Sequence, residues 1–124
     1  MVTDREDGYE LRVTYPQMTR AGLGVPFAVT VIHPGGFEGP VTLEMDLRYL
    51  DLFDENGTNP APDQSTSAGD RLVLEFARPE GDVFEMRLDT RTGPNVQWGR
   101  RGTTTLIVGG TAVASVSYRT WVMP

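Results

Sequence analysis

Few side chains in this 124-residue chain have the types and spacing that chemistry demands. His33 is the sole histidine, and as a general base it would need a nucleophile beside it; no G-x-S-x-G elbow occurs to supply one. At the end of an alternating stretch and before Pro34, it reads as a structural or surface residue. One histidine and no cysteine also fall short of the ligand set of a zinc centre. Oxygen ligands are better represented. Asp51, Asp54, Glu55 and Asn56, with Gly57 and Asn59, lie on one stretch, as a calcium site requires, but at the spacing of no EF-hand loop. The competing reading is a solvated acidic loop. Met18, Met45, Met86 and Met123 carry thioethers that suit Cu(I), yet Met45 and Met86 fall on apolar sides of alternating stretches, where methionine fills cores.

The group of most interest is Trp98 with Arg100 and Arg101, inside the run T-G-P-N-V-Q-W-G-R-R-G from Thr92 to Gly102. Exposed, these residues would stack on a sugar ring or anchor a protein interface. Buried, Trp98 would plug an end of the fold while an arginine pairs with acidic loops. Gly93, Pro94, Gly99 and Gly102 read as turn residues of the same run. Trp121 lies among Tyr118, Val122 and Met123, which puts apolar side chains on both faces of one stretch. This predicts either a bulge or a strand leaving its sheet as a partly exposed edge that a partner covers.

The elements that would position these residues are strands. Tyr9–Tyr15 alternates Tyr9, Leu11, Val13 and Tyr15 against Glu10, Arg12 and Thr14, the period of a half-buried strand. Gln17–Gly24 reads as a turn or a kinked edge segment. Val25–His33, Val41–Arg48, a strand through Leu72, Leu74 and Phe76, another through Phe84, Met86 and Leu88, then Thr103–Val108 and Thr111–Trp121 complete a set of seven. Between Tyr49 and Asp70 the alternation fails, which predicts a long loop with at most one helical turn. For the final hairpin, a loop of Gly109–Thr111 pairs Leu106 with Ala114 and Thr104 with Val116, and gathers the apolar residues on one face.

Seven short strands and no long helix predict an all-β, seven-stranded immunoglobulin-like β-sandwich over residues 9–124. Residues 1–8, polar and acidic, are expected to be a linker or the remnant of a trimmed N-terminus. In immunoglobulin-like connectivity the first, second, fourth and fifth strands share one sheet and the third, sixth and seventh the other. Thr92–Gly102 then carries the chain across between the sheets.

Composition narrows the functions. There are 17 acidic and 11 basic residues, a net charge of −6, so nucleic acid is excluded as a partner, since phosphate binding requires clustered cations in excess. All 11 basic residues are arginine, as expected of a GC-rich genome. No apolar run approaches the length of a membrane span, and no signal peptide is visible. No cofactor is expected.

The series Y-E-L-R-V-T-Y-P at Tyr9–Pro16, H-P-G-G-F-E-G-P-V-T-L at His33–Leu43, Y-L-D-L-F-D-E-N-G at Tyr49–Gly57, V-Q-W-G-R-R-G at Val96–Gly102 and Y-R-T-W-V-M-P at Tyr118–Pro124 resembles a family of small actinobacterial proteins. The resemblance implies a short N-terminal membrane anchor, which this sequence lacks, followed by one extracytoplasmic immunoglobulin-like domain. It also implies a multi-pass membrane protein as partner. No activity comes with it, so no catalytic residue is carried over. The expectation is therefore a non-catalytic extracytoplasmic interaction domain, tethered to the cell membrane, with Trp98, Arg100, Arg101 and Trp121 as its surface. The alternative is a ligand-binding module for carbohydrate, or for calcium at Asp51, Asp54, Glu55 and Asn56.

Overall fold

A computed structural model of the chain describes residues 1–20, 23–52, 57–92 and 97–123, with the side chains of 25, 89–91, 97 and 98 left out of the description. It is an immunoglobulin-like β-sandwich of two sheets. One sheet has the order β1-β2-β4-β9-β6, formed by β1 (Val2–Glu6), β2 (Tyr9–Thr14), β4 (Gly24–Ile32), β9 (Val83–Arg91) and β6 (Gly57–Asn59). The other has the order β3-β11-β10-β5-β8-β7, formed by β3 (Met18–Arg20), β11 (Thr111–Met123), β10 (Gln97–Val108), β5 (Val41–Asp46), β8 (Arg71–Phe76) and β7 (Gln64–Ala68). A single helical turn, α1 (Leu47–Leu50), follows β5.

The alternating residues explain the layers. Leu11 and Val13, Phe27, Val29 and Val31, and Phe84, Met86 and Leu88 point inward from the first sheet and are buried. Val41, Leu43 and Met45, Leu74 and Phe76, Leu106, and Ala114, Val116, Tyr118 and Val122 meet them from the second. The intervening positions carry the polar residues, so each strand buries one face only.

The seven long strands expected from the sequence are β2, β4, β5, β8, β9, β10 and β11, and one of them changes sheets. The fourth, β8, pairs with β5 along its whole length, Val41 to Phe76 through Asp46 to Arg71, instead of joining the sheet of β2 and β4. The reason is local: after β5 the chain turns through α1, and Leu47 N–H bonds to the Asp70 carbonyl at 2.9 Å, which returns the chain beside the strand it has just left. The crossing between sheets after β9 stands as expected, because β9 and β10 belong to different sheets. Its central residues, 93–96, lie outside the described ones.

Residues 1–8 are not a linker outside the fold. Val2–Glu6 forms a register-matched antiparallel pair with β2, from Val2 opposite Val13 to Glu6 opposite Tyr9. Asp7 and Gly8 make the tight turn, with φ of 51° and 80°. Asp-Gly is the pair that such a turn requires, since both central residues take positive φ. Arg5 and Arg12 flank Glu10 and hold its carboxyl below the usual range, although desolvation pulls it upward. Asp4 then reaches the other sheet, its Oδ2 accepting the Ser115 N–H at 2.9 Å.

The final hairpin has the expected core pairing with a different turn. Leu106 faces Ala114 and Thr104 faces Val116, but Val108 pairs with Thr111 across a two-residue Gly109-Gly110 turn. A register shift beyond Leu106 absorbs the difference, so a bulge does what a longer loop was expected to do. Between Tyr49 and Asp70, where a loop was expected, β6 and β7 are short and α1 is one turn; β7 is exposed along all five residues.

Candidate functional site

The residues of interest converge at one end of the sandwich, where β10 begins, β11 finishes and α1 lies between β5 and β6. Along β10 and β11 the side chains alternate. Gly102 and Thr104 point inward with Tyr118, Thr120 and Val122, while Arg101, Thr103, Arg119 and Trp121 point outward.

The inward side is neutral and fully satisfied. Thr120 Oγ1 donates to the Pro16 carbonyl at 2.6 Å, so the Tyr49 hydroxyl, 2.7 Å from the same oxygen, is the donor to it. Tyr118 and Thr104 hydroxyls lie 2.8 Å apart. The rings of Tyr49 and Tyr118 meet edge to face at 4.9 Å, and Phe27 closes the group. Burial pushes both phenols well above their ordinary range, the hydroxyl partners opposing only part of that effect. Gly102 is therefore no turn residue. A methyl group on its Cα would come within 2.5 Å of the Tyr118 ring and 2.7 Å of the Tyr49 ring, so only hydrogen fits.

Outward, the site is cationic and aromatic. A register shift between Gln97 and Arg100 bulges β10 opposite the end of β11, and Gly99 sits in it at φ 97°. The Trp121 indole packs on Gly99: a Cβ there would lie 2.9 Å from its Cη2. The expected irregularity thus falls on β10, and Trp121 stays in the sheet, its edge covered by β3, where Met18 pairs with it in parallel. Trp121 remains 36% exposed, and the Arg119 guanidinium stands over its ring at 5.9 Å from the centroid.

Arg100 and Arg101 are brought together with a residue that sequence reading did not single out. Arg48, on α1, joins them and Gly99 around an open hollow of about 550 Å³. Arg100 Nη1 donates to the Arg48 carbonyl at 2.8 Å, which ties β10 to the helical turn. The side chain of Trp98 lies outside the described residues, so the choice between plug and exposed anchor falls there as well. Asp51 is exposed in the turn after α1; Asp54, Glu55 and Asn56, the rest of the expected calcium ligands, also lie outside the described residues. Among the described residues no three His, Cys, Asp or Glu side chains gather as a metal site.

His33 is structural. Its ring stacks on Tyr9 at 4.1 Å, and Nδ1 donates to the Gly36 carbonyl at 2.6 Å, which fixes the tautomer and braces the Pro34–Gly36 turn. Met45 and Met86 are buried core residues, far in exposure from Met18 at 68%. Arg119 was missed, though its two-residue offset from Trp121 places both on one face of a strand. Arg48 carried no such signal, being 52 positions from Arg100.

The fold has solved counterparts of low sequence identity. The N-terminal domain of the Streptococcus gordonii adhesin Sgo0707 superposes with a TM-score of 0.61 at 14% identity, over 97% of this chain and 34% of that one. The chain thus spans about a third of that adhesin structure. BslA, a bacterial hydrophobin, superposes with a TM-score of 0.59 at 11% identity, over 91% of this chain and 98% of that one. At such identities the likeness establishes the β-sandwich fold. No protein-family model matches the sequence, and a search of curated proteins returns no significant match.

Proposed function

We propose that this chain is a non-catalytic extracytoplasmic interaction domain, tethered to the cell membrane through a segment N-terminal to it and acting with a membrane protein. The observation that carries the reading is the outward surface at the end of β10 and β11. Trp121 is held in place on Gly99, with Arg119 over its ring and Arg101 opposite Arg119 on the same face, and left accessible. Tryptophan and arginine are the residues that dominate binding energy at interfaces, and fixing them beforehand lowers the entropy cost of association. The sandwich shape shared with an adhesin domain and a bacterial hydrophobin is in keeping with a role in contact.

Capture of the partner by the full-length protein from detergent-solubilised membranes tests this. Arg101→Glu combined with Arg119→Glu is expected to abolish capture. If the unaltered full-length protein captures no membrane protein, the proposal fails.

A further inference from the structure

Exposed apolar side chains are unevenly spread over this molecule. Among the described residues, the large exposed hydrophobics are Met1 at 68%, Met18 at 68%, Leu23 at 50%, Val83 at 52% and Trp121 at 36%. Met18, Leu23 and Trp121 belong to one end of the sandwich. Met18 pairs with Trp121, Leu23 precedes β4, and its carbonyl accepts the Thr92 N–H at 2.7 Å. Met1 precedes Val2, whose partner Val13 lies opposite Val29 in the interior of β4, away from this end. Val83 opens β9 at the far end, opposite Ile32.

The charged residues that line the hollows at this end are all of one sign. Two hollows flank Met18: one is walled by Arg119 and Trp121, the other by Arg20, Leu23 and Met123. Together with the hollow of Arg48, Arg100 and Arg101 they contain five arginines, and no Asp or Glu lines any of the three. This occurs in a chain of 17 acidic and 11 basic residues.

We propose that this end of the sandwich seats on the surface of an anionic phospholipid bilayer, with Met18, Leu23 and Trp121 entering the headgroup region and Arg20, Arg119 and Arg101 contacting lipid phosphates. Arginine and tryptophan suit that boundary: the guanidinium meets phosphate oxygens in pairs, and the indole is amphipathic. Met18 stands out from an edge strand, Leu23 from a connection and Trp121 from the end of β11, and such tips enter a lipid surface where a groove would hold a peptide. Charge complementarity supplies the attraction. The proposal rests on the tethered reading only for orientation, since a tether preceding β1, which runs antiparallel to β2, would continue toward this end.

Sedimentation of the untethered 124-residue chain with vesicles tests the idea independently of any protein partner. Equimolar phosphatidylcholine/phosphatidylglycerol vesicles are expected to carry the chain down at low salt, and phosphatidylcholine vesicles are not. Each arginine at such a surface contributes roughly fivefold, so Arg20→Ser with Arg119→Ser is expected to weaken binding about thirtyfold. Met18→Ser with Leu23→Ser is expected to weaken it about tenfold. Thermal melting of each variant confirms that the fold is kept. No association with the anionic vesicles, equal association with both vesicle types, or unchanged binding by the arginine variant would overturn the proposal. So would binding to a soluble polyglutamate peptide without vesicle binding, which would assign the surface to an acidic protein segment. Vesicle binding without a captured membrane protein would uphold this inference while the partnership in the preceding section fails.

Discussion

The two faces of the β10–β11 ladder differ sharply in what they contact. Inward, Gly102, Thr104, Tyr118 and Thr120 share a closed set of ring contacts and hydrogen bonds, with exposures of 5% or less for Thr104, Tyr118 and Thr120. Outward, one residue along, Arg101, Arg119 and Trp121 are exposed. The first face is determined by what the fold must bury, so any change there acts on stability. The second is under no such obligation, and its arginines and tryptophan are free to be chosen for what they contact.

Neighbouring positions on β11 give the sharpest break between the faces. Tyr118→Ala should cost about 3–5 kcal/mol, the range for removing a large buried aromatic, as read from denaturant midpoints. Arg119→Ala, one residue on, should change stability by no more than about 0.5 kcal/mol. Equal losses at the two positions would erase the distinction. On β10, Gly102→Ala should cost about 1–3 kcal/mol by overpacking against Tyr118 and Tyr49.

Alkaline pH probes the inward face as a whole. Burial raises the tyrosine pKa values in the folded state, so above about pH 10 the unfolded chain loses phenolic protons that the folded chain retains. The unfolded state then binds fewer protons, and stability falls as pH rises, by about 1.4 kcal/mol per pH unit for each tyrosine. The contribution is fully present below that pH. Tyr118→Phe, which removes one titrating group, should make the alkaline decline shallower; an unchanged slope would contradict the assignment.

How much of this was legible in the sequence follows the same division. Period-two alternation located the long strands and the core methionines, because burial leaves a direct trace in residue order. It did not say which sheet β8 joins, since Leu74 and Phe76 point to a core from either one. That choice depends on the return path through α1. Residues 1–8 looked like a linker because β1 lies at a sheet edge and needs few apolar residues; the Asp7-Gly8 pair was the turn signal available. The short elements β6 and β7 bury too little to leave a pattern. Trp121, Arg100 and Arg101 stood out by type, and Arg119 was readable from its offset on the strand. Arg48 meets them only through the tertiary contact of α1 with β10. Gly102 misled because glycine marks turns and close approaches alike, and here it marks the approach of two tyrosine rings.

The central claim is that the outward face recognises a partner while the inward face holds the fold. It is tested most directly by measuring melting temperature and capture of the membrane partner together for full-length protein carrying Arg101→Glu and Arg119→Glu. The account predicts a melting temperature within about 3 °C of the parent and loss of capture. Undiminished capture, or a collapse in melting temperature, would contradict it.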